Sequence, residues 1–228
     1  MNVVPMRAII FDFDGVLVDS EPIRFKAGAQ ALAEVGESLT WERFTRSWLG
    51  RTDEAGLRDL LGGRFEADGR RIAERRNALY EERLDEVPAF ADAVGLLRRV
   101  PEGIRLAVAT GSRRTEVARI LGRLGLLPSF HTIITAEDYT SAKPAPDPFL
   151  TAARRLDLPP VSCLAIEDTA AGVAAARAAG MPVVAVDRGR GAVGLDQATW
   201  RVANLDEIGL APTGEVVVKD PAPGSPGS

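Results

Sequence analysis

The sequence predicts an α/β protein, a doubly wound parallel sheet interrupted after its first strand by an all-helical insert. Three observations carry this. From Ala91 onward, short apolar runs alternate with helix-period segments, the pattern of a parallel sheet covered on both faces. Between residues 20 and 86 no convincing strand occurs. The apolar runs end on polar, chemically capable residues or lead into loops that carry them, where a doubly wound sheet binds its ligands. Residues 1–19 and 87–210 are therefore assigned to an α/β core, and 20–86 to a helical subdomain. Residues 211–228, rich in Pro, Gly and Ser, read mostly as a disordered tail.

The first element is the apolar run Ala8-Ile9-Ile10-Phe11, read as a buried strand closed by Asp12-Phe13-Asp14-Gly15. In a continuing strand, carboxylates at i and i+2 point to one face. Burying both asks for a cation beside them, and a divalent metal with oxygen ligands suits the pair. Gly15 permits a sharp turn and a close approach to a ligand. Taken alone, the pair reads equally as an acidic surface loop or a helix N-terminus.

Glu21-Pro22 opens a helix, with Phe25, Ala29, Leu32 and Val35 at helical spacing before Gly36. Thr40 is placed to cap a helix carrying Trp41, Phe44 and Trp48. Leu57, Leu60 and Leu61 mark a third helix, ended by Gly62-Gly63. Residues 66–86 form a long charged helix with Ile72, Leu79 and Leu84 as its apolar points. After Pro88 come a helix over 91–99 and a strand over 104–109, closed by Thr110-Gly111-Ser112. A helix through Gly122, a strand over 132–135 and a polar loop with Lys143-Pro144 follow. The alternation ends with a helix over 148–156, a strand over 163–166 closed by Glu167-Asp168, an Ala-rich helix to Ala179 and a strand over 183–186.

Composition narrows the function. The 228 residues carry a formal charge of −4, with 46% hydrophobic and 26% charged side chains. That is ordinary for a globular protein and gives no nucleic-acid-binding footprint. A single cysteine, Cys163, excludes an intrachain disulfide and reads as a small core residue. The single histidine, His131, reads as a solvated or hydrogen-bonded loop residue, which leaves multi-histidine metal sites unsupported. No apolar run reaches the roughly 18 residues of a membrane span, and residues 1–6 lack a signal-peptide pattern. A cytoplasmic protein, monomer or weak homodimer, without membrane or nucleic-acid partners is expected.

Asp12, Asp14, Thr110, Ser112, Lys143, Glu167 and Asp168 all fall at strand ends or in the loops beyond them, which such a fold gathers at one rim. Singly, each has an ordinary use: Thr110-Gly111-Ser112 as a helix cap, Lys143 as a surface lysine, Glu167-Asp168 as a cap of the next helix. Jointly they suit metal-assisted phosphoryl transfer. A carboxylate can attack phosphorus, a divalent ion can neutralise phosphate charge, a hydroxyl and a lysine can hold the remaining oxygens, and a second acid can move the protons.

The order of these motifs resembles the haloacid dehalogenase-like hydrolases, in the branch of β-phosphoglucomutase and phosphoglycolate phosphatase. Four motifs carry it: Phe11 through Ser20, Ala109-Thr110-Gly111-Ser112, Lys143-Pro144-Ala145-Pro146-Asp147-Pro148, and Ile166 through Gly172. The resemblance spans roughly residues 7–187 and implies a Rossmann-like core with a small four-helix cap. It implies Asp12 as nucleophile, Asp14 as general acid/base, and Thr110 with Gly111 or Ser112 as phosphoryl ligands. Lys143 would orient the nucleophile. Asp12, the Asp14 backbone carbonyl and Asp168 would hold Mg²⁺, with Glu167 direct or through water. Gly172 would allow close helix packing. In the cap, Gly50-Arg51-Thr52 and Arg76 resemble substrate-selecting elements; Arg76 reads equally as part of a solvated helix face. The expected substrate is a small phosphorylated metabolite, a sugar phosphate foremost. Phosphatase is the main reading, and sugar phosphomutase the alternative; a non-enzymatic phospho-receiver module is a more distant one. Two departures stand out: Arg24 takes the place of the mutases' histidine, and Pro88-Ala89-Phe90 replaces a common Pro-Gly return.

Overall fold

In the computed structural model, which describes residues 3–49, 52–190, 193–211 and 215–218, the chain begins with β1 (Val3–Pro5) and β2 (Ala8–Phe11). Helices α1 (Glu21–Ala33), α2 (Trp41–Ser47), α3 (Asp53–Leu61) and α4 (Phe65–Glu82) follow. Then come α5 (Ala91–Arg99), β3 (Arg105–Ala109), α6 (Arg114–Arg123), β4 (Thr132–Ile134) and α7 (Asp147–Arg155). The last elements are β5 (Cys163–Glu167), α8 (Ala170–Ala178), β6 (Val183–Val186), β7 (Trp200–Val202), β8 (Ile208–Leu210) and β9 (Glu215–Val218). Two compact units result, one of Met1–Val18 with Ala89–Ser228, the other of Asp19–Pro88.

The first unit holds a six-stranded parallel sheet in the order β4-β3-β2-β5-β6-β7. After β4 the chain crosses to the far side of β2 to lay down β5. That reversal makes the carboxyl end of β2 a topological switch point, where such sheets open a crevice. Phe11 pairs with Val108 on one side and Ile166 on the other. One residue further, Asp12 therefore emerges beside Ala109 and Glu167.

Both faces of the sheet are covered, so its strands read as unbroken apolar runs. On one face Ala8, Ile10, Ala107, Ala109, Cys163 and Ala165 pack with Phe149 and Ala152 of α7, with Leu156 just beyond it, and with Val173 and Ala176 of α8. The small side chains of this face let the two helices approach closely. The alternate residues Ile9, Phe11, Val108, Leu164 and Ile166 turn to the other face and are equally buried.

A second, antiparallel sheet has the order β1-β9-β8, with Val3 opposite Val217 and Ile208 opposite Val218. The sequence reading expected none of these strands, nor β7. Each is three or four residues long and lies outside the strand–helix alternation. β9 corrects part of the expected tail: the β-branched run Val216-Val217-Val218 pairs although its surroundings are rich in Pro and Gly.

The second unit is helical. Thr40 and Thr52 cap α2 and α3, accepting from the backbone N–H of Arg43 and Ala55 at 3.2 Å each. Its core joins Ile23, Leu32, Phe44, Trp48, Leu57, Ile72 and Leu79. Gly56 is required there: a Cβ would lie 2.4 Å from the Trp48 ring. The long helix expected to Glu86 ends at Glu82, and a single 3₁₀ turn covers Leu84–Glu86. Among the described residues, no helix is long and apolar enough to cross a membrane.

Candidate active site

The rim of the first unit is organised by Lys143. Its ammonium donates to Asp12 Oδ1 at 2.5 Å, to Glu167 Oε1 at 2.6 Å and to the Ala109 carbonyl at 2.9 Å. These three bonds match the three protons it has to give. Far from a surface lysine, it has a side chain 12% exposed, lying over Phe149. Burial pulls its pKa down, but the two carboxylates outweigh that and hold it above the ordinary lysine value.

Asp12 extends the ladder of β2, its N–H donating to the Ile166 carbonyl at 2.8 Å. Burial, opposed by Lys143 and reinforced by Glu167 and Asp14, pushes its carboxyl up to about 8. Glu167 is buried at the end of β5. Its second oxygen accepts from the N–H of Asp168 at 2.9 Å, the N–H of Thr169 at 3.0 Å and the Thr169 hydroxyl at 2.9 Å. The cap of α8 is Thr169, which accepts from Gly172 N–H, so Glu167-Asp168 is free of that task. Gly172 leaves room for Glu167: a Cβ there would stand 1.8 Å from the Glu167 carboxylate.

Carboxylate oxygens of Asp12, Glu167 and Asp168 lie within 4.8 Å of one another. Gly15, at φ +77°, closes the group; a Cβ on it would fall 1.9 Å from Asp168 Oδ2. Three carboxylates crowd one largely buried place beside a single ammonium, so without further positive charge Asp12 is driven toward its protonated form. That donor set, with the cradle left by Gly15, fits a divalent cation. The Asp14 side chain is outside this group. Its Oδ2 accepts from the Ser112 hydroxyl at 2.6 Å, which leaves only its backbone carbonyl for the expected metal role.

Thr110 and Ser112 are buried and fold on themselves, Thr110 Oγ1 accepting from Ser112 N–H at 3.0 Å. They do not cap α6, whose first N–H is taken by Glu137. Gly111 faces open space, with the Tyr139 hydroxyl 3.9 Å from a Cβ placed on it. That hydroxyl donates to the Thr110 carbonyl at 3.1 Å. Sequence reasoning missed Tyr139, because nothing local distinguishes it from a core aromatic.

Other candidates fall elsewhere. Arg51, with Gly50, lies outside the described residues. Arg76 is 7% exposed on α4. It pairs with Asp53 at 3.2 Å, donates to Asn77 at 2.8 Å and lies 5.5 and 5.7 Å from the Trp48 and Tyr80 rings. Arg76 is therefore not on a solvated face: it is buried and tied to neighbours within its own helical unit. His131 accepts the Leu106 N–H on Nδ1 at 3.2 Å. Burial pushes the Cys163 thiol up to about 11, which makes a poor nucleophile.

A doubly wound sheet with acids, hydroxyls and a lysine at the switch point defines a phosphoryl-transfer class of site. Residues 6–180 match the family profile described as haloacid dehalogenase-like hydrolase. β-Phosphoglucomutase of Bacillus subtilis (strain 168) is 32% identical over 213 residues, covering 88% of this chain and 92% of that protein. Hexitol phosphatase A of Escherichia coli (strain K12) is 30% identical over 216 residues, covering 93% and 99%. The crystal structure of β-phosphoglucomutase from Clostridium difficile superposes with a TM-score of 0.72 at 26% identity, over 88% of this chain and 92% of that one. The chain belongs to the haloacid dehalogenase-like hydrolases, in the branch of β-phosphoglucomutase and phosphoglycolate phosphatase.

Proposed function

We propose that the chain is a Mg²⁺-dependent phosphatase that hydrolyses a small phosphorylated metabolite, a sugar phosphate by class, through an aspartyl phosphate. The observation that supports this best is the division of labour among the acids. Asp12 and Glu167 meet the Lys143 ammonium, with an Asp168 oxygen within 4.8 Å of theirs, a donor set that fits a cation, while Asp14 is bonded to Ser112 outside that group. An enzyme of this class needs one carboxylate to attack and another to move protons.

In the proposed reaction the Asp12 oxygen not bonded to Lys143 attacks phosphorus. The bond from phosphorus to the ester oxygen breaks, and Asp14 gives that oxygen its proton. A water then attacks the aspartyl phosphate, Asp14 takes a proton back, and inorganic phosphate leaves with Asp12 restored. Thr110, Gly111 and Ser112 hold phosphoryl oxygens, and Lys143 keeps Asp12 oriented and offsets its charge. Mg²⁺, held by Asp12, Asp168 and the Asp14 carbonyl with Glu167 direct or through water, would supply positive charge against the phosphoryl oxygens. Hexitol phosphatase A among the relatives supports a sugar-phosphate substrate. The likeness to β-phosphoglucomutase favours a mutase as the second reading.

The test is phosphate release from a panel of phosphorylated sugars and small acids, with Mg²⁺ or EDTA, for the wild type and Asp12→Asn. Expected is Mg²⁺-dependent release from one compound class, reduced ~10⁴-fold or more in Asp12→Asn. Near-wild-type turnover in the variant would remove Asp12 from its role. Interconversion of sugar 1- and 6-phosphates on adding a bisphosphate, without release, would establish the mutase.

A further inference from the structure

The loop after β2 closes largely on its own backbone. Leu17 and Val18 N–H groups donate to the Phe13 carbonyl at 2.9 and 3.1 Å, and Gly15 N–H donates to the Val18 carbonyl at 2.9 Å. The carbonyls of Gly15 and Val16 are taken by a residue far along the chain. Arg188, just beyond β6, donates from Nε to Gly15 at 3.1 Å and from Nη2 to Val16 at 3.2 Å.

The guanidinium is itself held from two other sides. Nη1 meets Asp92 Oδ2 at 2.7 Å, and the Arg188 and Asp92 side chains are only 12% and 11% exposed. Asp92 also accepts the N–H groups of Leu205 and Ala93, at 2.8 and 2.9 Å. The Phe90 ring lies 3.7 Å from the guanidinium carbon. A planar fork with fixed donors suits two adjacent carbonyls and a carboxylate at once, which an ammonium does not.

What this fork holds is the segment that touches the acidic cluster. Gly15 packs without a Cβ against the Asp168 carboxylate, and Asp14 precedes it directly. A shift of the loop by about 1 Å would press on Asp168 or open the cradle, and ligand sets lose their grip at displacements of that order.

We propose that Arg188 is a positioning residue: by holding the Gly15 and Val16 carbonyls it fixes the loop against Asp168 and presets the carboxylate cluster for a divalent cation. Its kinetic consequence rests on the phosphatase reading above; its cation-binding consequence does not require turnover.

The experiment titrates the full-length wild type, Arg188→Gln, Arg188→Lys and Arg188→Ala with Mg²⁺ by calorimetry, without substrate, and then measures turnover. Arg188→Gln should bind Mg²⁺ about 10- to 100-fold more weakly, the loss seen when groups that orient metal ligands are removed. Its kcat should fall by a similar factor, while KM for the phosphoester stays within about threefold. Arg188→Lys should be intermediate. Low-millimolar guanidinium ion should recover Mg²⁺ affinity in Arg188→Ala, a response that loss of stability alone does not produce. Wild-type Mg²⁺ affinity and turnover in Arg188→Gln, whatever its melting temperature, would overturn the proposal. If Arg188→Gln does not fold, wild-type affinity in Arg188→Lys together with no guanidinium effect in Arg188→Ala would overturn it equally. A wild type that binds Mg²⁺ but releases no phosphate from any compound would fail the phosphatase reading and leave this one standing.

Discussion

Lys143 and Arg76 are buried cations, one in each unit, and they are treated in opposite ways. Lys143 sits between two carboxylates with a third in the same cluster. Arg76 is ion-paired with Asp53, donates to Asn77 and lies near the Trp48 and Tyr80 rings. In the helical unit, then, Arg76 has a single ion-pair partner. At the sheet's rim three carboxylates lie beside one ammonium, a donor set that fits a further cation. A single pair of opposite charges serves as a fastening; several carboxylates around one ammonium form a donor set that can take up a cation.

Substitutions can break that contrast. Lys143→Met should have the largest effect. It leaves Asp12 and Glu167 buried without their counter-ion, which typically costs about 3–5 kcal/mol, and turnover should vanish with it. Urea denaturation and phosphate release would check both; a stable, active variant would mean that the ammonium is not what holds the cluster. Arg76→Met should cost less, about 1–3 kcal/mol, because Asp53 is 27% exposed and can turn to water. KM should stay near wild type. A large rise in KM at little cost in stability would make Arg76 a substrate contact after all.

The smallest expected effect lies away from both cations. Asp138 bonds to the Thr135 N–H and hydroxyl, to Arg114 and to Arg155. Its burial raises its pKa, but these bonds outweigh that and hold it well below the usual carboxylate range. A depressed pKa adds stability above the unfolded value of about 3.9 and loses it as pH falls toward the folded one. Asp138→Asn should thus lower the melting temperature at pH 7 by an amount equivalent to about 1–2 kcal/mol. The gap to wild type should narrow as pH falls below about 4. A gap constant with pH would show that the charge contributes nothing.

Much of the site was legible because its residues sit where local patterns change. Asp12, Thr110 and Glu167 each follow or end an apolar run, so period and strand length alone marked them. Lys143 was legible only through its motif, since a lysine in a polar loop carries no local sign of burial. Tyr139, Arg188 and Asp92 gave no signal: each resembles an ordinary core aromatic or surface charge until its distant partner is known. The strands β1, β7, β8 and β9 were missed for another reason: they lie outside the strand–helix alternation that exposed the equally short β2, β4 and β6.

By itself the sequence determined the alternation of strands and helices, the helical insert and the chemical groups at the strand ends. Those depend on periodicity and propensity, which act over a few neighbouring residues. Only the tertiary structure decided the strand order β4-β3-β2-β5-β6-β7, and with it that Lys143 reaches Asp12 across 131 residues of chain and Arg188 reaches Gly15 across 173. Pairings of that kind follow from which strand lies beside which, and in what register. Buried charges then settle on whatever partners the sheet has brought within reach.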